Sequence, residues 1–166
     1  MFHADYCFIR DSHDDENITV CVGRMTPSKA MFAARCEMKG PGDEYTLGRL
    51  VKIRKDEGVH KITYRNDQES SIVALIENAL RISGRAGEVM EASPEQSAVG
   101  ESASNGTAER TVQLFEDQLR TLKGALEARL GSRLPNVHPV MDWLIQHVAS
   151  IFNRQSDWRL KIDATC

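Results

Sequence analysis

Apolar and polar positions change period several times along the chain, and each change marks an element. Residues 4 to 9, Ala-Asp-Tyr-Cys-Phe-Ile, concentrate aromatic and apolar types and predict a first strand. Arg10 to Asn17 is polar and turn-like. Its acidic cluster does not make a calcium loop, because Glu16 and Val22 stand where such a loop needs glycine and a bidentate glutamate. Ile18, Val20 and Val22 then alternate with Thr19, Cys21 and Gly23, the period of a half-buried strand, and Met31 to Met38 repeats it after Thr26-Pro27-Ser28. These three runs predict an antiparallel meander.

Beyond the meander the period lengthens. Asp43 can cap a helix from Glu44 to about Glu57, closed by Gly58, and Val59 to Tyr64 reads as a further strand. Gln68 to Ile82 places Ile72, Leu75, Ile76, Ala79 and Leu80 on one side of a helix. Ser83 to Gly106 is rich in small and polar residues and predicts a loop, with a short strand near Val89 and Met90. A long helix follows, its stripe formed by Ala108, Val112, Phe115, Leu119, Leu122, Leu126 and Leu130, ending at Gly131. Pro135 opens a last helix with Val140, Leu144, Ile145, Val148, Ile151 and Phe152 on its apolar face, and the period fades after Arg154. Strand, helix, strand, helix calls for parallel pairing beside the meander. The expected architecture is α/β: a mixed five-stranded sheet, three antiparallel strands followed by parallel ones, flanked by helices.

Composition adds bounds rather than detail. The 166 residues, 41% of them hydrophobic, suffice for one buried core. No apolar run approaches the roughly 20 residues of a membrane span, and the first residues do not make a signal peptide. Cys7, Cys21, Cys36 and Cys166 include no C-x-x-C pair and predict buried, reduced thiols, so the expected setting is intracellular, nuclear or cytoplasmic. His3, His13, His60, His138 and His147 lack zinc-site spacing. The net charge of -3 argues against holding nucleic acid by bulk electrostatics alone, although Arg49 to Arg65 is locally basic.

Three carboxylates stand out. Asp5 interrupts an apolar strand, where a buried charge is costly unless a cation or hydrogen bonds compensate it. Asp67 lies just past the Val59 to Tyr64 strand, where open α/β sheets gather ligands. Glu109 falls in the first turn of the long helix, beside its apolar stripe. Taken singly, Asp67 also reads as a helix cap and Glu109 as a charge favoured at a helix start. The three converge if the first strand neighbours the strand before Asp67 and the long helix packs beside them.

These residues lie in motifs that resemble the integrase catalytic core of retroviruses and retrotransposons, nearest to copia-type elements. The motifs are Ala4-Asp5-Tyr6-Cys7-Phe8, Ile62-Thr63-Tyr64-Arg65-Asn66-Asp67-Gln68-Glu69 and Ser104-Asn105-Gly106-Thr107-Ala108-Glu109-Arg110. Weaker similarity continues through Gln118 to Lys123 and Trp143-Leu144 to Phe152-Asn153-Arg154. The resemblance implies an RNase H-like core over residues 1–154 and a divergent tail over 155–166. It also implies two Mg²⁺ or Mn²⁺ ions held by Asp5, Asp67 and Glu109, roughly 4 Å apart, for phosphoryl transfer during 3′-end processing and strand transfer. Element ends and target DNA are then the partners, a homodimer is expected, and no membrane is involved. Asn105, Gly106, Gln113, Arg120 and Lys123 are candidate DNA contacts, the last three following Glu109 along the helix.

Departures from the family temper the activity. Asp67 and Glu109 are 42 positions apart, somewhat more than is usual, and the intervening loop can absorb the excess. The family's His-His-Cys-Cys module and its later DNA-binding region have no counterpart in these residues, so a truncated or inactive remnant that keeps the metal site is the expectation. One rival is a ribonuclease H, which draws on Glu44 and uses Asp142 in place of Glu109. The other is a non-catalytic domain that binds nucleic acid or protein.

Overall fold

Side-chain alternation along one central strand accounts for the layers of the molecule. In β1 (Phe2–Ile9), Phe2, Ala4 and Tyr6 enter one apolar core while Cys7 and Ile9 face another on the opposite side of the sheet. The computed structural model describes residues 2–11, 16–26, 28–56, 61–65, 70–85, 91–94 and 106–163, with side chains at these positions except 54, 61–65, 83–85, 91–94 and 156–163.

β1 pairs antiparallel with β2 (Ile18–Met25), and β2 with β3 (Met31–Cys36), which is the meander that the alternation predicts. On its other side β1 pairs in parallel with β4 (Lys61–Arg65), Phe2 opposite Tyr64 and His3 opposite Arg65, and β4 pairs in parallel with β5 (Glu91–Pro94). The strand order is β3-β2-β1-β4-β5.

Helix α1 (Glu44–Asp56) starts where the sequence places its cap. The Asp43 carboxylate accepts the Thr46 amide at 2.9 Å and the Glu37 amide at 2.9 Å, so one side chain both caps the helix and ties down the chain leaving β3. Leu47 and Leu50 of α1 join Ile72, Leu75, Ile76 and Ala79 of α2 (Ser70–Arg85) over the face that carries Phe2, Ala4 and Tyr6. The opposite face is covered by Phe115 and Leu119 of α3 (Gly106–Leu130) and by Met141, Leu144, Ile145 and Val148 of α4 (Val140–Asp163). Gly131, at φ +66°, ends α3 in the left-handed conformation that a glycine C-cap allows. The amide of Asn153 on α4 accepts from Met31 N at 2.6 Å and donates to Met31 O at 3.0 Å, fastening α4 to the outer strand. Among the described residues, no helix is long and apolar enough to cross a membrane.

Several boundaries differ from the sequence reading. β1 begins two residues earlier than expected, β3 stops two residues sooner, and α2 spans Ser70–Arg85 rather than Gln68 to Ile82. β5 lies next to Val89 and Met90, near which the short strand is predicted and which themselves fall outside the described residues. Pro135 opens a turn, with His138 N donating to Pro135 O at 3.0 Å, and α4 starts only at Val140 and continues to Asp163, past the fading of the apolar period. Within α3, Thr111 is buried beside Ala108, Phe115 and Leu119, while Leu130 at the end of the predicted stripe is exposed.

Candidate metal and nucleic-acid site

Asp5 occupies the middle of β1, opposite Val22, and its side chain is half-buried. By the alternation of the strand it shares the face of Cys7 and Ile9, the side that α3 covers. Its Oδ1 accepts the backbone N–H of Tyr6 at 2.7 Å. His3, buried two positions earlier, lies on the same face, and sequence reading did not single it out.

One contact and one electrostatic influence agree with helix α3 running in the same direction as β1. Lys123 Nζ meets Asp11 Oδ2 at 2.9 Å, and one heptad earlier Glu116 is close enough to Cys7 for its charge to oppose ionisation of that thiol. Glu109 lies a further heptad back, in the first turn, with an exposed side chain. From Lys123 to Glu109 the helix retreats about 21 Å, and from Asp11 to Asp5 the chain, of which β1 makes up the part from Ile9 back, retreats by at most about 20 Å. The two lengths match, so Glu109 comes level with Asp5 where α3 keeps to the direction of β1.

Asp67 lies outside the described residues. The described part of its approach ends at Arg65, which faces His3 in the parallel pairing. Among the described residues, no group of three or more His, Cys, Asp or Glu side chains is placed to hold a metal ion. Asp5 and Glu109 remain as two oxygen donors of the hard type that Mg²⁺ and Mn²⁺ prefer, which is chemistry compatible with such an ion.

The expected DNA contacts fare differently from one another. Asn105 lies outside the described residues, and Gly106 is exposed at the first position of α3. Gln113 is exposed and lies 3.5 Å from the Arg110 guanidinium. Arg120 is exposed, ion-paired with Asp117 at 3.0 Å, and shares with Arg10 the lining of a groove of about 490 Å³. Lys123 does not share the exposed side that the helical spacing assigned to it. Its side chain is 13% exposed, and its ammonium is held by Asp11 and by Asn136 Oδ1 at 3.3 Å. The helix pattern could not reveal this, because the partner that draws Lys123 inward comes from the other end of the chain.

The residues of the ribonuclease H rival are placed elsewhere. Glu44 is exposed in the first turn of α1, across the sheet from the face of Asp5. Asp142 is exposed and paired with Arg35 at 3.1 Å. The expected thiols are free and buried at Cys7, Cys21 and Cys36, while Cys166 lies outside the described residues. Burial pushes the Cys7 thiol up from its ordinary 9.0, and the charges of Glu116 and Asp5 push it further. Cys7 is thus a neutral packing group beneath the carboxylates.

An α/β sandwich with this meander and these flanking helices has the RNase H-like fold of retroviral integrase catalytic cores. Three of the solved structures that are similar illustrate the likeness. A chain of the simian T-cell lymphotropic virus intasome, solved in complex with PP2A regulatory subunit B56 gamma, is similar over 92% of this chain, with a TM-score of 0.59 at 11% identity. This chain spans only 46% of that one. The HTLV-2 integrase catalytic core domain in complex with magnesium, in its dimeric form, is similar over 89% of this chain and 81% of its own, with a TM-score of 0.56 at 13% identity. The catalytic core domain of BIV integrase is similar over 89% and 79%, with a TM-score of 0.54 at 12% identity. No family model and no curated protein matches the chain.

Proposed function

We propose that this chain is the catalytic core of an integrase, of the copia-type retrotransposon kind that its motifs resemble, and that it transfers phosphoryl groups of DNA. Asp5, Asp67 and Glu109 would hold two Mg²⁺ or Mn²⁺ ions in this reading. The observation that supports it is the Lys123–Asp11 contact, from which similar lengths of α3 and of the chain through β1 lead back to Glu109 and Asp5. The end of β4 supports the third ligand. Arg65 faces His3, Asp5 lies two positions beyond His3, and Asp67 lies two positions beyond Arg65, within a chain reach of about 7 Å. A site drawing one carboxylate from a central strand, one from the exit of its parallel neighbour and one from a helix over the same face suits a shared phosphate.

Bound there, the ions would activate the attacking oxygen and stabilise the leaving one. Asp5 sits in a half-buried strand position and supplies the fixed ligand, while the exposed Glu109 borders the solvent from which DNA arrives. Gly106 opens α3 with exposed backbone amides, and a Cβ there would meet no described atom within 4 Å, so a phosphate can approach the helix start closely. Asn105 belongs to this approach by sequence position. Arg10 and Arg120, on the lining of a groove further along α3, and the exposed Gln113 are the further DNA contacts in this reading. Lys123 is left out because Asp11 already holds its charge. The HTLV-2 core was solved as a dimer, and a homodimer is part of the proposal for this chain.

The test is Mg²⁺-dependent nicking and strand joining of labelled DNA ends by the full chain, beside Asp5→Asn, Asp67→Asn and Glu109→Gln. We expect product from the unaltered chain and a loss of at least about 10³-fold in each variant, the scale of removing a group that acts directly on transition-state charge. Equal signals from the chain and its variants would overturn the reading, as would the absence of product from all four.

A further inference from the structure

The proposed site depends on a helix holding its position along a strand, and the residues that fix that position lie at the far end of both. Asp11, at 15% side-chain exposure, accepts Lys123 Nζ at 2.9 Å through Oδ2 and Arg133 at 2.7 Å through Oδ1. Asn136 is fully buried. Its Oδ1 accepts from Lys123 at 3.3 Å, and its Nδ2 donates to Glu16 O at 3.0 Å and Ile9 O at 3.4 Å. The exit of β1, the return into β2, the C-terminal part of α3 and the link to α4 are therefore joined through one polar cluster. The hydrophobic driving force that holds a helix on a sheet has no direction of its own. A nearly buried ammonium facing one carboxylate has a single favourable position, and a slip of one helical turn, about 5.4 Å, would leave both charges without each other.

We propose that the Asp11–Lys123–Asn136 cluster is a register pin for α3, and that Lys123 is a positioning residue that keeps Glu109 level with Asp5 two heptads away. The inference rests on the metal-site reading above and adds the element that sets its geometry. Lys123 touches no reacting atom. It acts through the rigid helix between itself and Glu109, and its removal leaves Asp11 paired with Arg133, so the chain keeps a fold in which the effect can be read.

The experiment is titration of the full chain with Mn²⁺ alone, followed by the electron paramagnetic resonance signal of the free ion, below the unfolding temperature of every variant. The variants are Lys123→Met, Glu109→Gln and, as a stability control, Leu50→Ala, a core truncation on the opposite face of the sheet. We expect Glu109→Gln to abolish the tighter Mn²⁺ binding and Lys123→Met to weaken it about tenfold, the scale seen when a supporting partner of a ligand is lost. Leu50→Ala should bind as the unaltered chain does despite its lower unfolding temperature. Unchanged affinity in Lys123→Met, with binding still lost in Glu109→Gln, would overturn the pin and leave the site standing. Equal weakening in Leu50→Ala would also overturn it, because the effect would then be one of general stability. An unaltered chain that binds no Mn²⁺ would remove the metal site and the pin together.

Discussion

Asn136 shows how much a single residue can organise. Its amide serves two backbone carbonyls from the β1–β2 connection and one lysine from α3, in a place closed to water. Replacement by alanine removes one acceptor and two donors at once, and the partners left behind lose hydrogen bonds made inside the fold. We expect Asn136→Ala to lower unfolding free energy by about 3 kcal/mol, measured as a lower urea midpoint at unchanged slope. A loss below about 1 kcal/mol would mean that the buried amide contributes little beyond its volume. Arg133 is a contrasting case at the same cluster. Its side chain is largely exposed, so its pairing with Asp11 contributes far less to stability.

At the scale of elements, α3 carries the largest consequences. Phe115 is completely buried between β1, β2 and α4, whereas Leu130 at the helix end is mostly exposed. Phe115→Ala should cost about 4 kcal/mol, and Leu130→Ala within about 0.5 kcal/mol, on the same urea titration. Comparable losses would contradict this burial. The contrast also shows what the sequence could convey. Asp43 and Gly131 were readable as helix boundaries because capping is local chemistry, decided by residues a few positions away. The start of α4 is not legible locally, because Pro135 suits a first helical turn, whereas the capping group is the ring of His138, whose Nδ1 accepts the Val140 amide at 3.2 Å. Asp5 was conspicuous as a charge in an apolar strand. Lys123 looked like one more exposed cation, since helix periodicity carries no information about Asp11, and its burial became visible only with the tertiary contact.

For the whole molecule, the sheet divides two cores, and thiols lie in both: Cys21 and Cys36 on the side of α1 and α2, Cys7 on the side of α3 and α4. Burial raises all three above their ordinary 9.0, with the Thr46 hydroxyl partly offsetting the rise at Cys36. Their contribution to stability is complete below pH 9. Above it the unfolded chain releases protons that the fold retains, so stability falls as pH climbs towards the raised values, at about 1 kcal/mol per pH unit for each thiol. The urea midpoint should therefore drop between pH 8 and pH 10.5, with a shallower drop in Cys21→Ala; a flat profile in the unaltered chain would count against neutral buried thiols. The clasp of Asn153 on Met31 has a consequence for solubility. A peripheral strand is a template on which a neighbouring molecule can add its own backbone, and fibrils grow from such seams. By filling the outward donor and acceptor of Met31, Asn153 stoppers the first rung of that template, so a side chain that fastens a helix also keeps molecules apart.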